Sequence, residues 1–223
     1  MTASSWEETK ANSLYHFDSQ RHDPRWDCIQ YLGRFSGSWG QELAAACQRS
    51  EPATWATRGY KSRENQIPTH ELIKEHNDLT AIGMDVDAEI TDLHWDLAPV
   101  FAKMSSLFGL QDTMTRLHVQ WPGQVWNLHI DKLQKWNPAE PSLVRRIMIH
   151  LQDWQPGHFW GYGNYVHTGW HMGDITTFDW QNVPHCTANA GRTPRCTLQV
   201  TGVETASTRD FLQHLQEVKE LAL

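Results

Sequence analysis

Residues 115–131 read TRLHVQWPGQVWNLHID, and they decide how the rest of the sequence is interpreted. Two stretches that alternate apolar and polar residues flank a turn at Pro122-Gly123, as expected for two short β-strands. Further strand candidates follow at residues 145–154, 173–180 and 195–203. This succession of short strands predicts an antiparallel, mainly β core.

Helices are expected on both sides of this core. The C-terminal segment 207–223 is amphipathic, with its apolar residues on one helical face, and Ser207 with Asp210 resembles a capping box. Upstream, residues 40–49 and 96–110 also follow helical spacing. The strand-rich middle is therefore framed by helical segments.

This layout fits a jelly-roll or cupin-like barrel, that is, a double-stranded β-helix core with supporting α-helices at the N- and C-terminal ends. The length of 223 residues suits one domain. The expected division of residues 1–223 is a single domain with N-terminal packing and lid segments over 1–90, the β core over 91–203 and the C-terminal helix over 207–223.

Composition limits the classes of partner. The formal net charge of −7 makes a nucleic-acid backbone an unexpected partner. The first residues lack the basic and apolar regions of a signal peptide, and no window is apolar enough to span a bilayer, so we expect a cytoplasmic protein without a membrane partner. The four cysteines have no CxxC spacing, which disfavours a disulfide framework or a structural zinc site.

His129 and Asp131 form a His-x-Asp pair in a strand-like run. Because residues i and i+2 of a strand project from the same face, these side chains are neighbours, either as a polar surface pair or as two ligands of one metal ion. A second pair, His94 and Asp96, lies at the entrance of a predicted helix, where the two side chains diverge around the axis. We interpret that second pair as structural, with Asp96 as a helix cap.

A metal site would need a third ligand from elsewhere, and His185 is the best candidate. Two histidines and one carboxylate leave open coordination positions and are typical of non-haem Fe(II) sites, whereas structural zinc sites are closed. The competing histidines are His150, His158, His167 and His171.

Arg195 follows His185 by ten residues, across a loop that contains Gly191 and Pro194. We expect the chain to turn there and run back beside the His185 strand. An inward guanidinium on that strand would lie several ångströms from the metal, a gap that a five-carbon dicarboxylate could bridge.

The order His129-Ile130-Asp131, His185 and Arg195-Cys196-Thr197 resembles the pattern of Fe(II)- and 2-oxoglutarate-dependent dioxygenases, over roughly residues 115–203. The resemblance implies that His129, Asp131 and His185 bind Fe(II), and that Arg195 and Thr197 bind the far carboxylate of 2-oxoglutarate. It also implies reaction with O2 and hydroxylation of a C–H bond in an amino acid, a peptidyl side chain or another small substrate.

The subfamily stays open. The segment FDWQNVPH and the Arg195 strand are loosely similar to prolyl and aspartyl/asparaginyl hydroxylases. The aspartyl-type enzymes usually lack the carboxylate ligand that Asp131 would supply, and prolyl-type enzymes often have Lys where this chain has Arg195. Asn127, Arg146 and Trp180 are candidates for substrate binding, although Arg146 also fits an exposed basic pair and Trp180 also fits a core position.

Two other functions remain as alternatives. A non-catalytic, lectin-like β-sandwich could use some of the 12 tryptophans to stack on sugars. A cupin metalloenzyme could use the same metal without 2-oxoglutarate, in which case Arg195 would face solvent.

Overall fold

The part of the chain that the structure describes folds into two facing β-sheets with three α-helices packed on the outside. The computed structural model describes residues 28–49, 91–92 and 97–223. The expectations for the other residues, among them most of the N-terminal packing segment and the His94–Asp96 pair, lie outside this part of the chain. The strands in these ranges are β1 Gln30–Ser36, β2 Thr91–Asp92, β3 Gln111–Gln120, β4 Val125–His129, β5 Val144–His150, β6 His158–Tyr162, β7 Tyr165–His167, β8 Asp174–Thr177, β9 His185–Asn189, β10 Arg195–Val203 and β11 Glu220–Ala222.

The larger sheet has the order β11-β1-β8-β5-β10-β3-β2, and the smaller one has the order β4-β9-β6-β7. From β3 to β10 the chain passes from the larger to the smaller sheet after β3, β5 and β8, and it returns after β4, β7 and β9. Every pair of neighbours within this stretch is antiparallel. This is the winding of a double-stranded β-helix, so the expected fold class is confirmed.

The two faces of the larger sheet are both buried but differ in chemistry. On β10, Leu198 and Val200 point outward into an apolar cluster with Ile147 and Ile149 of β5. The alternate β10 residues are polar and face the smaller sheet, and register pairs Thr197 with His150 across the strands. The interior between the sheets is therefore a polar-lined space rather than a uniform apolar core.

The helices cover the outer apolar face. They are α1 Gly40–Arg49, α2 Pro99–Ser106 and α3 Ala206–Val218, and they contribute Ala46, Phe101 and Leu215 to the outer cluster. None of the helices within the described ranges has the length and apolar character needed to cross a bilayer.

The ends of α3 differ from the expectation. Its capping box is formed by Thr205 and Thr208 rather than by Ser207 and Asp210, because the Thr205 hydroxyl accepts from the Thr208 amide at 3.2 Å and also donates to the Gly109 carbonyl at 2.8 Å. The helix ends at Val218 rather than continuing to residue 223. Lys219 has a φ of 65°, and the chain then forms β11, which pairs in parallel with β1.

Candidate metal centre and adjoining pocket

Two neighbouring strands of the smaller sheet bring the predicted ligands together. His129 is the last residue of β4 and lies directly opposite His185, the first residue of β9. Asp131 lies two residues beyond the end of β4, so the expectation that the whole His-x-Asp run is a strand is wrong for its last two residues. A register shift between Trp126 and His129 bends the strand at this point, and Asp131 still reaches the two imidazoles.

The three side chains form a compact, buried group. His129 Nε2 lies 3.7 Å from Asp131 Oδ1, and His185 Nε2 lies 3.7 Å from Asp131 Oδ2. One ligand atom from each residue lies within 4.8 Å of the others, so the group could hold a metal ion. Two imidazoles and one carboxylate are donors that suit Fe(II) and leave coordination positions open.

The orientation of His185 suits a metal ligand. Its Nδ1 lies 3.3 Å from the Val183 carbonyl oxygen, which can only accept, so Nδ1 carries the proton and the Nε2 lone pair faces the group. Burial, followed by the proximity of His129, lowers the pKa of His185 to about 3. The imidazole is therefore neutral at physiological pH, as metal binding requires.

Asp131 is held as a carboxylate. Burial by itself would raise the pKa of Asp131, but the Arg146 guanidinium and then His185 and His129 outweigh this and bring the pKa well below its usual range. Arg146 Nη1 donates directly to Asp131 Oδ2. His129 has a neighbouring donor as well, since the Trp126 indole N–H lies 3.2 Å from its Nε2.

Arg195 does not lie beside the His185 strand, as the sequence led us to expect, but across the barrel from it. It begins β10 in the larger sheet, whereas His185 begins β9 in the smaller one. The guanidinium is 2% exposed and lies over the Trp160 ring, 4.5 Å from the ring centroid. Its Nε and Nη2 donate to Gln120 Oε1 at 3.0 and 2.6 Å.

A series of rings connects this arginine to the ligand group. Trp160 stacks on Tyr162 with centroids 5.5 Å apart, and Tyr162 stacks on His185 with centroids 6.1 Å apart. Arg195 is therefore linked to His185 through the rings of Trp160 and Tyr162 on β6. Burial lowers the pKa of Arg195 to about 10. This is still well above neutral pH, so the guanidinium remains charged.

Several buried polar atoms in this region have no hydrogen-bond partner within the described part of the chain. They include Arg195 Nη1, the Thr197 hydroxyl and the Tyr162 hydroxyl. Burial raises the pKa of Tyr162 well above its usual value, so the phenol keeps its proton and can donate. Buried donors are normally satisfied, and a guanidinium with two hydroxyls is the chemistry that recognises a carboxylate. These residues therefore have the donors that a carboxylate ligand needs.

Gln120 and Tyr162 were missed by the sequence reasoning. The signal available for Gln120 is register, because an antiparallel partner strand places it directly opposite Arg195. No sequence signal distinguishes Tyr162 from a core tyrosine, since its importance depends on stacking between residues of different strands.

The structure places the three substrate-binding candidates differently. The indole N–H of Trp180 donates to the Val144 carbonyl at 2.8 Å, and the ring packs in a second apolar cluster that includes Met148 and Phe178. Arg146 is buried rather than exposed, and each of its three nitrogens contacts a protein oxygen. Asn127 lies in β4, and its side chain is outside the described part of the structure.

The competing histidines occupy other surroundings. His150 and His167 face each other with their Nε2 atoms 3.1 Å apart, and His150 stacks on Trp170 with centroids 4.3 Å apart. His158 bonds the Thr193 carbonyl, and His171 is exposed near Asp153. Among the described residues, only His129, Asp131 and His185 form a metal-competent group.

Comparisons with known proteins find distant likenesses in structure. No protein-family model matches the chain, and no curated protein sequence matches it. The chain is similar to a prolyl-4-hydroxylase from Pseudomonas putida, with 19% identity and a TM-score of 0.37 over 73% of this chain and 77% of that one. It is also similar to a Cupin 2 conserved barrel domain protein from Salinispora arenicola, with 12% identity and a TM-score of 0.33 over 58% of this chain and 88% of that one. Likenesses at this level concern the fold alone and carry no argument about ligands or activity.

Proposed function

We propose that this protein is an Fe(II)- and 2-oxoglutarate-dependent dioxygenase that hydroxylates a C–H bond of an amino acid, a peptidyl side chain or another small substrate. One observation carries the proposal. The buried group of His129, Asp131 and His185 is connected through the Tyr162 and Trp160 rings to Arg195, whose Nη1 is buried without a partner among the described residues. A candidate metal site and an unsatisfied guanidinium in one barrel suit a co-substrate that combines a chelating end with a far carboxylate.

The protein's contribution to this reaction is binding and orientation. Bound Fe(II) and 2-oxoglutarate, together with O2, supply the oxidising chemistry. His129, Asp131 and His185 would hold the metal. Arg195 Nη1 and the Thr197 hydroxyl would each donate a hydrogen bond to the far carboxylate, and the arginine would also pair with its charge.

Two residues prepare Arg195 for this role. Gln120 Oε1 accepts hydrogen bonds from two of the Arg195 nitrogens, and the Trp160 ring packs against the guanidinium. The remaining nitrogen is the one without a partner, so the side chain is fixed before the ligand arrives. Such preorganisation reduces the side-chain entropy that binding would otherwise lose.

The interior also excludes water from the metal group. His129, Asp131 and His185 are 4%, 9% and 6% exposed. Phe178 packs against His185 with ring centroids 4.7 Å apart. A site that is nearly closed in this way protects reactive intermediates from water and strengthens the electrostatic contacts within it.

The alternatives use these features less well. A cupin enzyme without 2-oxoglutarate would have no use for a buried Arg195 that faces the interior. A lectin-like module needs accessible rings for sugars, whereas Trp160, Trp170 and Trp180 are 4%, 3% and 3% exposed.

The proposal is tested by loading the protein anaerobically with Fe(II) and 2-oxoglutarate, admitting O2 and measuring succinate by mass spectrometry. The wild-type protein is expected to release succinate even without its prime substrate, and His129→Ala should abolish this release. His171→Ala, at an exposed histidine, serves as the matched control and should leave it unchanged.

A second pair of variants separates the co-substrate from the metal. Arg195→Ala should abolish succinate release while Mn²⁺ binding is retained, and Cys186→Ala, beside His185, should behave as the wild type. Equal turnover in the Arg195 and Cys186 variants would contradict the proposal. Metal binding without any 2-oxoglutarate binding would instead favour the cupin alternative.

A further inference from the structure

The two buried arginines of the interior are bonded in opposite ways. Arg195 keeps one nitrogen without a partner, whereas every nitrogen of Arg146 has one in the described structure. Arg146 Nη2 donates to Gln199 Oε1 at 2.8 Å, Nε lies 3.3 Å from the Thr201 hydroxyl, and Nη1 donates to Asp131 Oδ2. Arg146 is therefore a fixed part of the protein rather than an open contact for a substrate.

The position of this contact on Asp131 has a consequence for metal binding. Each carboxylate oxygen faces one imidazole, since Oδ1 lies 3.7 Å from His129 Nε2 and Oδ2 lies 3.7 Å from His185 Nε2. Arg146 Nη1 donates to Oδ2, so Oδ1 is the oxygen without an arginine contact. We infer that Arg146 is a positioning residue that holds Asp131 as a one-oxygen metal ligand. The inference rests on the proposed function.

One-oxygen ligation matters because of the number of coordination positions. An octahedral metal with two imidazoles and one carboxylate oxygen keeps three positions open. Chelation by both carboxylate oxygens would leave two, which the keto acid group of 2-oxoglutarate would fill, with none left for O2. By engaging Oδ2, Arg146 keeps the third position open.

The surroundings of Arg146 support orientation as its role. The β10 residues Gln199 and Thr201 accept hydrogen bonds from the guanidinium, and the strand register sets Thr201 directly opposite Arg146. A planar guanidinium that is hydrogen-bonded at three nitrogens is held in one orientation, whereas a lysine ammonium on its flexible stem would not be held in one. If charge alone were needed, lysine could replace arginine.

The neighbouring residue provides a matched control. Arg145 points to the other face of β5, where its Nε donates to Glu204 Oε2. It is also half exposed, with 42% of its side chain accessible. Arg145→Gln removes the same charge one residue away without touching Asp131.

The experiment measures Mn²⁺ affinity by electron paramagnetic resonance of the free ion, without 2-oxoglutarate and at constant neutral pH, with thermal unfolding recorded for each variant. Arg146→Lys and Arg146→Gln should each weaken Mn²⁺ binding by roughly 10- to 100-fold, the usual effect of removing an outer-shell partner of a metal ligand. Arg145→Gln should bind Mn²⁺ as the wild type does.

Other outcomes overturn the inference. If Arg146 were only a counter-ion for Asp131, lysine would preserve Mn²⁺ affinity and glutamine would increase it. Should the Arg146 variants not fold, Gln199→Met keeps both charges and removes one grip on the guanidinium, and unchanged Mn²⁺ affinity in that variant would also overturn the inference. A wild-type protein that binds no Mn²⁺ would overturn the proposed function itself, and this inference with it.

Discussion

Gln120 offers a sharp test of the co-substrate anchor because one isosteric change alters the charge next to Arg195. In the wild-type protein Gln120 Oε1 accepts from two Arg195 nitrogens, and Gln120 Nε2 donates to the Thr187 hydroxyl at 3.0 Å. Gln120→Glu keeps the shape and the acceptor but neutralises the guanidinium with a buried carboxylate. We therefore expect 2-oxoglutarate to bind more weakly, since its far carboxylate meets a paired arginine.

The size of the effect follows from the geometry of one guanidinium. Carboxylates on opposite edges of a guanidinium lie about 6–7 Å apart, and at an effective dielectric constant of about 20 their repulsion is about 2.5 kcal/mol. This corresponds to a roughly 70-fold increase in the dissociation constant of 2-oxoglutarate. Titration calorimetry of the Mn²⁺-loaded protein measures it directly, because Mn²⁺ occupies the site without supporting turnover.

Two controls isolate the anchor. The keto acid 2-oxobutyrate has no far carboxylate, so its affinity should not fall in the Gln120→Glu variant by a comparable factor. Gln134→Glu adds the same charge at an exposed position and should bind 2-oxoglutarate as the wild type does. Unchanged 2-oxoglutarate affinity in Gln120→Glu would refute Arg195 as the anchor, and an equal loss for both keto acids would attribute the effect to general damage.

Three further predictions concern stability and binding. Thr197→Val removes a buried hydroxyl without a partner in the described structure. Denaturant unfolding should therefore show stability that is equal or greater, by up to about 1–2 kcal/mol, while 2-oxoglutarate affinity falls roughly 10-fold. A loss of both stability and affinity would point to a structural role. Burial, followed by the nearby His167, lowers the pKa of His150 well below 6.5, so the wild-type protein loses stability as pH falls below 6.5 and the unfolded chain takes up a proton. In His150→Gln the dependence of stability on pH between 6.5 and 5 should be shallower by about 1 kcal/mol per pH unit on average, and parallel curves would contradict this. Gly173 has a φ of 87°, and an added Cβ would lie 1.8 Å from the Phe35 carbonyl oxygen. Gly173→Ala should therefore lower the free energy of unfolding by about 3 kcal/mol or more, whereas Gly169→Ala, with open space around it, should lower it by about 1 kcal/mol. Equal losses in the two variants would argue against the close contact.

The fold class was predictable because strand alternation is a local signal. The run TRLHVQWPGQVWNLHID gives two strands and a turn, and the structure has β3 and β4 there. Their assignment to different sheets was not predictable from alternation, which says which residues share a face but not which strands are partners. The same limit explains why Arg195 was expected beside His185 and lies across the barrel from it.

The candidate ligands could be found from spacing, but their supports could not. His129 and Asp131 are close in sequence, and their order with His185 follows a known pattern. Gln120 reaches Arg195 from 75 residues away, and Gln199 reaches Arg146 from 53 residues away. Such contacts depend on the register of strands that meet only after folding, and no local periodicity encodes them.

Arg145 and Arg146 show how one alternation step separates two identical residues. In sequence they form a single basic pair, for which exposure was the favoured interpretation. In β5 they point to opposite faces, and the first reaches Glu204 while the second reaches Asp131. The predicted face was available from the strand pattern, but the partner on that face was not, because Asp131 arrives from the end of β4.

The polar face of β10 presents buried donors that an apolar strand would not have. Each buried donor without a partner costs about 1–3 kcal/mol relative to an apolar residue of the same shape. Arg195 and Thr197 both present such a donor to the interior, and Tyr162 adds a third from the opposite sheet. Apolar residues at these positions would give a more stable barrel, as the outer face of the same strand demonstrates with Leu198 and Val200. Stability alone therefore does not account for this face, and we expect an anionic ligand that satisfies the three donors at once.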